Sequence, residues 1–156
     1  KISNNLRIMI TGNQGDVMRE AVYVAASVAS VLAGIKQKEP SYFHLHVTDH
    51  ATKKEGPSGG CAFALCFLSC YLNKPIKNSV GITGEVDLLG QALAIGGVTQ
   101  KITGAILHGI ENILLPESNR LDAEPFLKDN PLPDNVKIHY YNNVKEAAKL
   151  AIIDYY

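Results

Sequence analysis

The chain has 156 residues and a mass of 16.9 kDa, a size that suits one domain. Apolar residues make up 46% of the sequence and charged residues 19%, which provides for a buried core and excludes intrinsic disorder. The 15 Lys and Arg balance the 15 Asp and Glu, so no excess of positive charge indicates a nucleic-acid partner. The longest apolar stretch, residues 59–72, is too short to span a bilayer.

Hydrophobic periodicity predicts alternating strands and helices in the first half of the chain. The predicted elements are a strand at 6–10, an amphipathic helix at 17–33, a strand at 42–48 and a buried helix at 58–72. Asp16 is predicted to cap the first helix, and Gly34 to end it. The second half continues the alternation, with a strand at 80–88, a return strand at 92–95, a helix at 98–108, strands at 112–115 and 136–141, and a helix at 144–153.

The stretch 117–135 contains Pro125, Pro131 and Pro133, which predicts a loop with at most one helical turn. Because strands and helices alternate through most of the chain, the predicted fold class is α/β, a single compact domain with a mixed sheet. Three cysteines lie within ten residues of the buried helix, at positions 61, 66 and 70. Their odd number argues against a disulfide framework, and their spacing without a histidine argues against zinc, so packing in a reducing compartment is the preferred interpretation.

Ser58 is a candidate nucleophile because it lies in a glycine-rich segment, KEGPSGG at 54–60, between a strand and the buried helix. A serine that opens a helix faces free backbone N–H groups and the positive end of the helix dipole, which suit a developing oxyanion. An ordinary capping serine is the alternative, and the loop alone favours it.

Lys101 is a candidate general base for such a serine. It lies on a predicted helix face shared with Val98, Gly104 and Ala105. Burial among these small and apolar residues would lower its pKa toward the working pH, as a lysine base requires. A solvated surface lysine is the alternative, and the spacing alone favours it.

Two other catalytic patterns are nearly present. Residues 56–60 satisfy the G-x-S-x-G pattern of α/β-hydrolases, for which Asp122 and His139 would complete a triad in a chain short for that fold. The segment HLHVTDH at 44–50 places His44 and His46 on one strand face, as metal ligands require, but one residue too many precedes Asp49 for the metallo-hydrolase pattern. Two strand histidines hydrogen-bonded within the domain are the preferred interpretation.

Six segments together resemble the proteolytic domain of Lon proteases, the ATP-dependent Ser–Lys peptidases. They are TGNQGDVMRE at 11–20, HLHV at 44–47, KEGPSGG at 54–60, TGEV at 83–86, AIGGVTQK at 94–101 and LLPESN at 114–119. Their order and spacing match the family, including the step of 43 residues between Ser58 and Lys101. This resemblance implies a serine endopeptidase in which Ser58 is the nucleophile and Lys101 the general base.

The resemblance also assigns supporting residues. It implies that the hydroxyl of Thr83 helps to hold the lysine amine, and that His44 and His46 lie near the site without joining the dyad. Glu55 and Gly59 depart from the family, which usually has Asp and Ala at these positions, so substrate preference or resting activity is expected to differ. No metal or organic cofactor is expected in this domain. A catalytically idle, ring-forming scaffold is the alternative.

The resemblance further implies a larger protein around residues 1–156. The segment 1–5 resembles neither a signal peptide nor a natural start, and the family's usual first strands are missing, so the chain is interpreted as part of a longer polypeptide. No phosphate-binding loop is present in this sequence, and the resemblance implies an AAA+ module N-terminal to the protease that would use ATP and Mg. The expected partners are unfolded or damaged protein substrates and further copies in a homo-hexamer, with no nucleic acid or membrane. The expected location is the mitochondrial matrix, with bacterial cytoplasm as the alternative.

Overall fold

The computed structural model describes residues 6–35, 40–49 and 51–156. The strands are β1 (Leu6–Thr11), β2 (Ser41–His46), β3 (Val80–Ile82), β4 (Glu85–Val86), β5 (Ala92–Leu93), β6 (Asn112–Pro116) and β7 (Lys137–Tyr141). The helices are α1 (Asp16–Leu32), α2 (Gly60–Leu72), α3 (Val98–Leu107), α4 (Arg120–Asp129) and α5 (Val144–Ala151). The interpretation of residues 1–5 and the His50 part of the metal pattern lie outside the described residues.

Alternating side chains along β1 and β2 bury one face of a parallel two-stranded sheet. Leu6 pairs with Ser41 and Thr11 with His46 at the two ends of the register. The inward residues Ile8 and Phe43 pack against the core formed by α1 and α2. The outward face of β2 carries His44 and His46, which are exposed. The two-residue period of a strand therefore places both histidines on the solvent side.

A second parallel sheet, with the strand order β3-β6-β7, lies between two layers of helices. On one face Leu114 joins the core of α1, α2 and α5. On the other face Ile113 and Leu115 pack with Ile102 of α3 and Ala123 of α4. The predicted α/β class is confirmed, and among the strands named above for the described residues β4 and β5 form the antiparallel pair. Within the described residues, no helix has the length and hydropathy needed to cross a bilayer.

The predicted strand at 80–88 is wrong as one element, because it breaks at Thr83 and Gly84 into β3 and β4. The alternating pattern continues through the break, but the backbone groups at these residues bond elsewhere. The N–H of Gly84 donates to the Ser58 carbonyl at 2.9 Å, and the Gly84 carbonyl accepts from Cys61 N–H at 2.9 Å. The backbone of Gly84 therefore forms hydrogen bonds with the segment around Ser58 and does not continue the strand.

The predicted loop at 117–135 is also wrong in its first half, which forms α4 with Pro125 inside it. Ala123 is fully buried, and Phe126 and Leu127 pack against the same apolar cluster, so tertiary packing overrides the proline. Pro125 has its steric conflict with the carbonyl of Leu121, a residue that is 87% exposed. Solvent can reach that end of the helix, which lowers the cost of the lost hydrogen bond.

The three cysteines of α2 do not share one environment. Cys61 is buried, and burial raises the pKa of its thiol to about 11. Cys66 and Cys70 are exposed on the same helix, and all three thiols are free. The packing interpretation holds for Cys61 and is wrong for the other two, because α2 turns only part of its surface toward the core.

Candidate active site

The backbone of Ser58 is fixed at the carboxyl end of β3. Its carbonyl accepts hydrogen bonds from the N–H of Gly84 at 2.9 Å and from the hydroxyl of Thr83 at 3.3 Å. Helix α2 begins at Gly60, with Gly59 as its N-cap, so Ser58 lies in the preceding turn instead of opening the helix as predicted. That turn closes through a bond from Gly60 N–H to the Pro57 carbonyl at 3.0 Å. Two of the predicted site residues, Ser58 and Thr83, are thereby brought into contact.

The hydroxyl and the N–H of Ser58 make no hydrogen bond to another residue in the described part of the chain. Ser58 itself is partly exposed. A serine in this position keeps its oxygen free for attack on a substrate, and its N–H remains a donor for an oxyanion.

The turn at Thr83 is held from behind by Tyr141. The phenol of Tyr141 is fully buried and donates to the Thr83 carbonyl at 2.7 Å. Burial raises the pKa of this phenol, so it stays a neutral donor. A Cβ at Gly84 would lie 2.2 Å from the Tyr141 hydroxyl oxygen, so only glycine fits beside it. Glycine at 84 and tyrosine at 141 together fix where Ser58 is anchored.

Lys101 lies in the first turns of α3, where its N–H bonds the Gly97 carbonyl at 3.0 Å. Gly97 has a φ of 67°, a left-handed conformation that glycine adopts without strain. Burial lowers the pKa of the Lys101 ammonium below its ordinary value. Among the described residues no carboxylate forms an ion pair with this lysine. Burial and the absence of an ion pair with a described carboxylate both favour the neutral form of the Lys101 amine.

The start of α3 lies at the carboxyl end of β6 because Asn119 holds it there. Asn119 follows β6 and is fully buried. Its side-chain oxygen accepts from Ile95 N–H at 2.9 Å, and its nitrogen donates to the Ile95 carbonyl at 2.9 Å. Thr83 N–H bonds the Leu114 carbonyl at 3.2 Å, which places the Ser58 anchor at the same sheet edge. The anchor of Ser58 and the start of α3, which carries Lys101, thus lie at the carboxyl ends of the strands of one sheet. No hydrogen bond joins the side chains of Ser58 and Lys101 in the described structure.

Glu55 fixes the loop before Ser58 to the start of α1. Its carboxylate accepts from Met18 N–H at 3.0 Å and from Gly56 N–H at 3.1 Å. Hydrogen bonds from Gly56 and then Met18 hold the pKa of this carboxyl below its ordinary value. The predicted cap Asp16 is wrong, since α1 has Gly15 as its N-cap and no side-chain cap of its own. A Cβ at Gly15 would lie 1.8 Å from a Glu55 carboxylate oxygen, so a larger residue there would displace this carboxylate.

Gly59 is explained by its neighbour on the next helical turn. A Cβ at Gly59 would lie 3.1 Å from the Phe63 Cζ atom, which is tighter than an ordinary van der Waals contact. A larger residue at position 59 would therefore press against the Phe63 ring.

The two strand histidines are joined by a threonine. The hydroxyl oxygen of Thr11 lies 2.8 Å from His44 Nε2 and 2.8 Å from His46 Nδ1. Both rings are exposed, and neither bonds Ser58 or Lys101. The expectation that they are hydrogen-bonded within the domain is confirmed. The described residues contain no group of three or more side chains suited to a metal.

The residues of the α/β-hydrolase alternative lie apart. His139 Nε2 lies 2.9 Å from Asn112 Oδ1, at the amino end of β6, whereas Ser58 is anchored at the carboxyl edge. Asp122 accepts from Asn119 at 3.0 Å and makes no hydrogen bond to His139. Ser58, His139 and Asp122 therefore form no triad in the part of the chain that the structure describes. The sequence analysis did not predict the structural roles of Asn119 and Tyr141. The available signals were that Asn119 ends the segment LLPESN and that Tyr141 ends a predicted strand.

Comparison with known proteins gives one consistent family. The family described as the Lon protease (S16) C-terminal proteolytic domain matches residues 1–154. The chain is 35% identical over 149 residues to the mitochondrial Lon protease homolog of Phaeodactylum tricornutum, covering 92% of this chain and 17% of that protein. It is 37% identical over 152 residues to Lon protease 1 of Borreliella burgdorferi, covering 92% and 18%.

A Lon protease homolog of Acanthamoeba polyphaga mimivirus is 40% identical over 151 residues, covering 92% of this chain and 15% of that protein. The chain therefore spans less than a fifth of the length of these three relatives. The family match and the three relatives agree over nearly the whole chain. The chain belongs to the Lon protease family and corresponds to its C-terminal proteolytic domain.

Proposed function

We propose that this domain hydrolyses peptide bonds as a serine endopeptidase with Ser58 as nucleophile and Lys101 as general base. The observation that carries the proposal is the position of Lys101, a partly buried amine without an ion-pair partner among the described residues, on the sheet edge that anchors Ser58. Membership of a protease family supports the reaction class.

The proposed reaction begins with a neutral Lys101. Its amine takes the proton of the Ser58 hydroxyl as the serine oxygen attacks the substrate carbonyl carbon. The oxyanion accepts hydrogen bonds from backbone N–H groups, including that of Ser58. The Lys101 ammonium then gives its proton to the leaving amine, and water cleaves the acyl-enzyme by the same route. Because hydrogen bonds of catalytic groups often form only in the substrate complex, we expect the Ser58–Lys101 bond to form when substrate binds.

Thr83 is proposed to connect the two catalytic residues. Its hydroxyl donates to the Ser58 carbonyl and retains lone pairs that can accept from an ammonium or amine. In this role Thr83 would orient the Lys101 amine while it fixes the nucleophile's backbone. Glu55, Gly59 and His46 are proposed as supporting residues that shape the segments around Ser58.

For the whole protein, we propose ATP-dependent degradation of unfolded or damaged proteins. The ATP and Mg would be used by an AAA+ module elsewhere in the polypeptide, and the assembly would be a homo-hexamer. Family membership and the short share of the relatives' length support this proposal. A mitochondrial matrix location is proposed, with bacterial cytoplasm as the alternative, since the relatives include a mitochondrial protein and a bacterial one. Fractionation of source cells would distinguish the two.

Cleavage of a fluorogenic peptide tests the dyad. Ser58→Ala and Lys101→Ala should each abolish turnover, whereas Lys145→Ala, which changes an exposed lysine on α5, should not. An α/β-hydrolase would retain activity in Lys101→Ala, and an idle scaffold would show none in the wild type. In an assay without ATP, loss of peptide cleavage on adding a chelator would contradict the metal-free mechanism.

A further inference from the structure

Lys54 lies four residues before Ser58, and its ammonium is surrounded by backbone carbonyls. It donates to the Gly12 carbonyl at 2.8 Å, to the Thr52 carbonyl at 3.0 Å and to the Asp49 carbonyl. An ammonium has three N–H donors and no acceptor, so these three carbonyls use its whole capacity. The side chain is partly buried, unlike that of its exposed neighbour Lys53.

The main chain of Lys54 is tied to the same turn. Its N–H donates to the Asn13 carbonyl at 2.9 Å, and its carbonyl accepts from Gly15 N–H at 2.7 Å. The turn between β1 and α1 is itself closely packed, because a Cβ at Gly12 would lie 1.9 Å from the Val47 carbonyl oxygen. Lys54 therefore joins the segment before Ser58 to a rigid part of the domain through both its backbone and its side chain.

Most of the described residues that lead from β2 to Lys54 are exposed, so hydrogen bonds contribute to their order. Asp49, Ala51, Thr52 and Lys53 are all exposed, and ordering such a segment costs conformational entropy. The Lys54 ammonium binds the carbonyls of Asp49 and Thr52 in this segment and that of Gly12 in the β1–α1 turn. These hydrogen bonds of the Lys54 ammonium therefore offset part of that entropy cost.

We propose that Lys54 is a positioning residue of the peptidase site, which holds the loop that carries Ser58 against the β1–α1 turn. This inference rests on the proposed function of Ser58 and Lys101. Lys54 acts through the loop and takes no part in proton transfer. Its loss should therefore lower kcat, because the nucleophile is misplaced, with little effect on KM.

The test uses the complete polypeptide that carries this domain, with Lys54→Met, Lys54→Gln, Lys54→Arg and the matched control Lys53→Met. Peptidase assays should show a kcat about 10- to 100-fold lower in Lys54→Met, with KM within about threefold of wild type, since small misplacements of catalytic groups have effects of this size. Lys54→Arg keeps the charge and several donors, so it should recover part of the lost kcat. Lys53→Met should behave as wild type.

Amide hydrogen exchange followed by mass spectrometry provides the second readout. In Lys54→Met and Lys54→Gln, exchange should increase at residues 51–59 and stay unchanged in the core of α2. An unchanged kcat, an equal loss in Lys53→Met, or global unfolding of both Lys54→Met and Lys54→Gln would overturn the positioning role. Should Ser58→Ala and Lys101→Ala keep full activity, the proposed function fails instead, and the exchange result still reports on the loop.

Discussion

The side chain of Asn119 makes hydrogen bonds with both backbone polar groups of Ile95, each at 2.9 Å. Asn119 follows β6, and Ile95 precedes α3, so these two bonds join segments 24 residues apart in the sequence. Because Lys101 lies on the first turns of α3, the position of its amine depends on this contact. Because the Asn119 side chain is fully buried, replacing it would leave the backbone groups of Ile95 without these hydrogen bonds.

Asn119→Ala should destabilise the domain and lower its peptidase activity together. The variant leaves the N–H and the carbonyl of Ile95 without partners, which costs about 2–4 kcal/mol for two buried groups. Urea unfolding measures the free energy, and a fluorogenic peptide reports kcat. Asn135→Ala, which changes an exposed asparagine, is the control and should leave both quantities unchanged. A stable Asn119→Ala with normal kcat would show that the contact does not position α3.

The pH dependence of kcat/KM should report the ionisation of Lys101. Burial lowers the pKa of Lys101, and the proposed mechanism needs the neutral amine, so activity should rise with pH through a midpoint below the ordinary lysine value of about 10.4. Below that midpoint, log kcat/KM should increase by about one for each pH unit.

The control for this profile is circular dichroism of the wild type across the same pH range, which should show a folded protein throughout. A midpoint at or above the ordinary lysine value would contradict a desolvated base.

Local sequence signals made Ser58 and Lys101 candidates but did not decide their catalytic roles, which were predicted from the resemblance to the family. Ser58 stands among glycines between a strand and an apolar helix, and Lys101 stands on a small-residue face, so type and spacing alone made both candidates. The positions of most strands and helices follow from periodicity in the same way, as for β1 and α1. Such features depend on neighbours in sequence, which a reader of the sequence can see.

Contacts between side chains and distant backbone could not be predicted in this way. The alternating pattern at 80–88 predicts one strand. In the structure, the Tyr141 hydroxyl donates to the Thr83 carbonyl and the Gly84 N–H donates to the Ser58 carbonyl, so the strand is interrupted there. Nothing near Asn119 or Lys54 in the sequence identifies which carbonyls they bind. The partner of a polar side chain depends on the tertiary fold, so these residues emerge only from the structure.

Glu55 should make the start of α1 sensitive to acid. Its pKa is lowered in the folded protein, so its stabilising contribution is complete above the pKa of the unfolded chain and is lost as pH falls through the lower folded pKa. Glu55→Gln keeps the acceptor oxygen and removes the charge, so the difference in unfolding free energy between wild type and variant should shrink as pH decreases. Glu20→Gln, at an exposed site within α1, should show no such convergence. A constant difference from pH 7 to acid would contradict this assignment.

Gly59→Ala should have opposite effects in the presence and absence of the Phe63 ring. Gly59 has a φ of −88°, which alanine adopts freely, so the reduced freedom of the unfolded chain favours the variant by about 0.4–1 kcal/mol. The new Cβ would meet Phe63 at 3.1 Å, and overpacking of this kind costs about 1 kcal/mol or more. Gly59→Ala alone should therefore be neutral or destabilising, whereas the same change in a Phe63→Leu background should stabilise. A double-mutant cycle of unfolding free energies checks this, because purely additive values would mean that Phe63 does not account for glycine at this position.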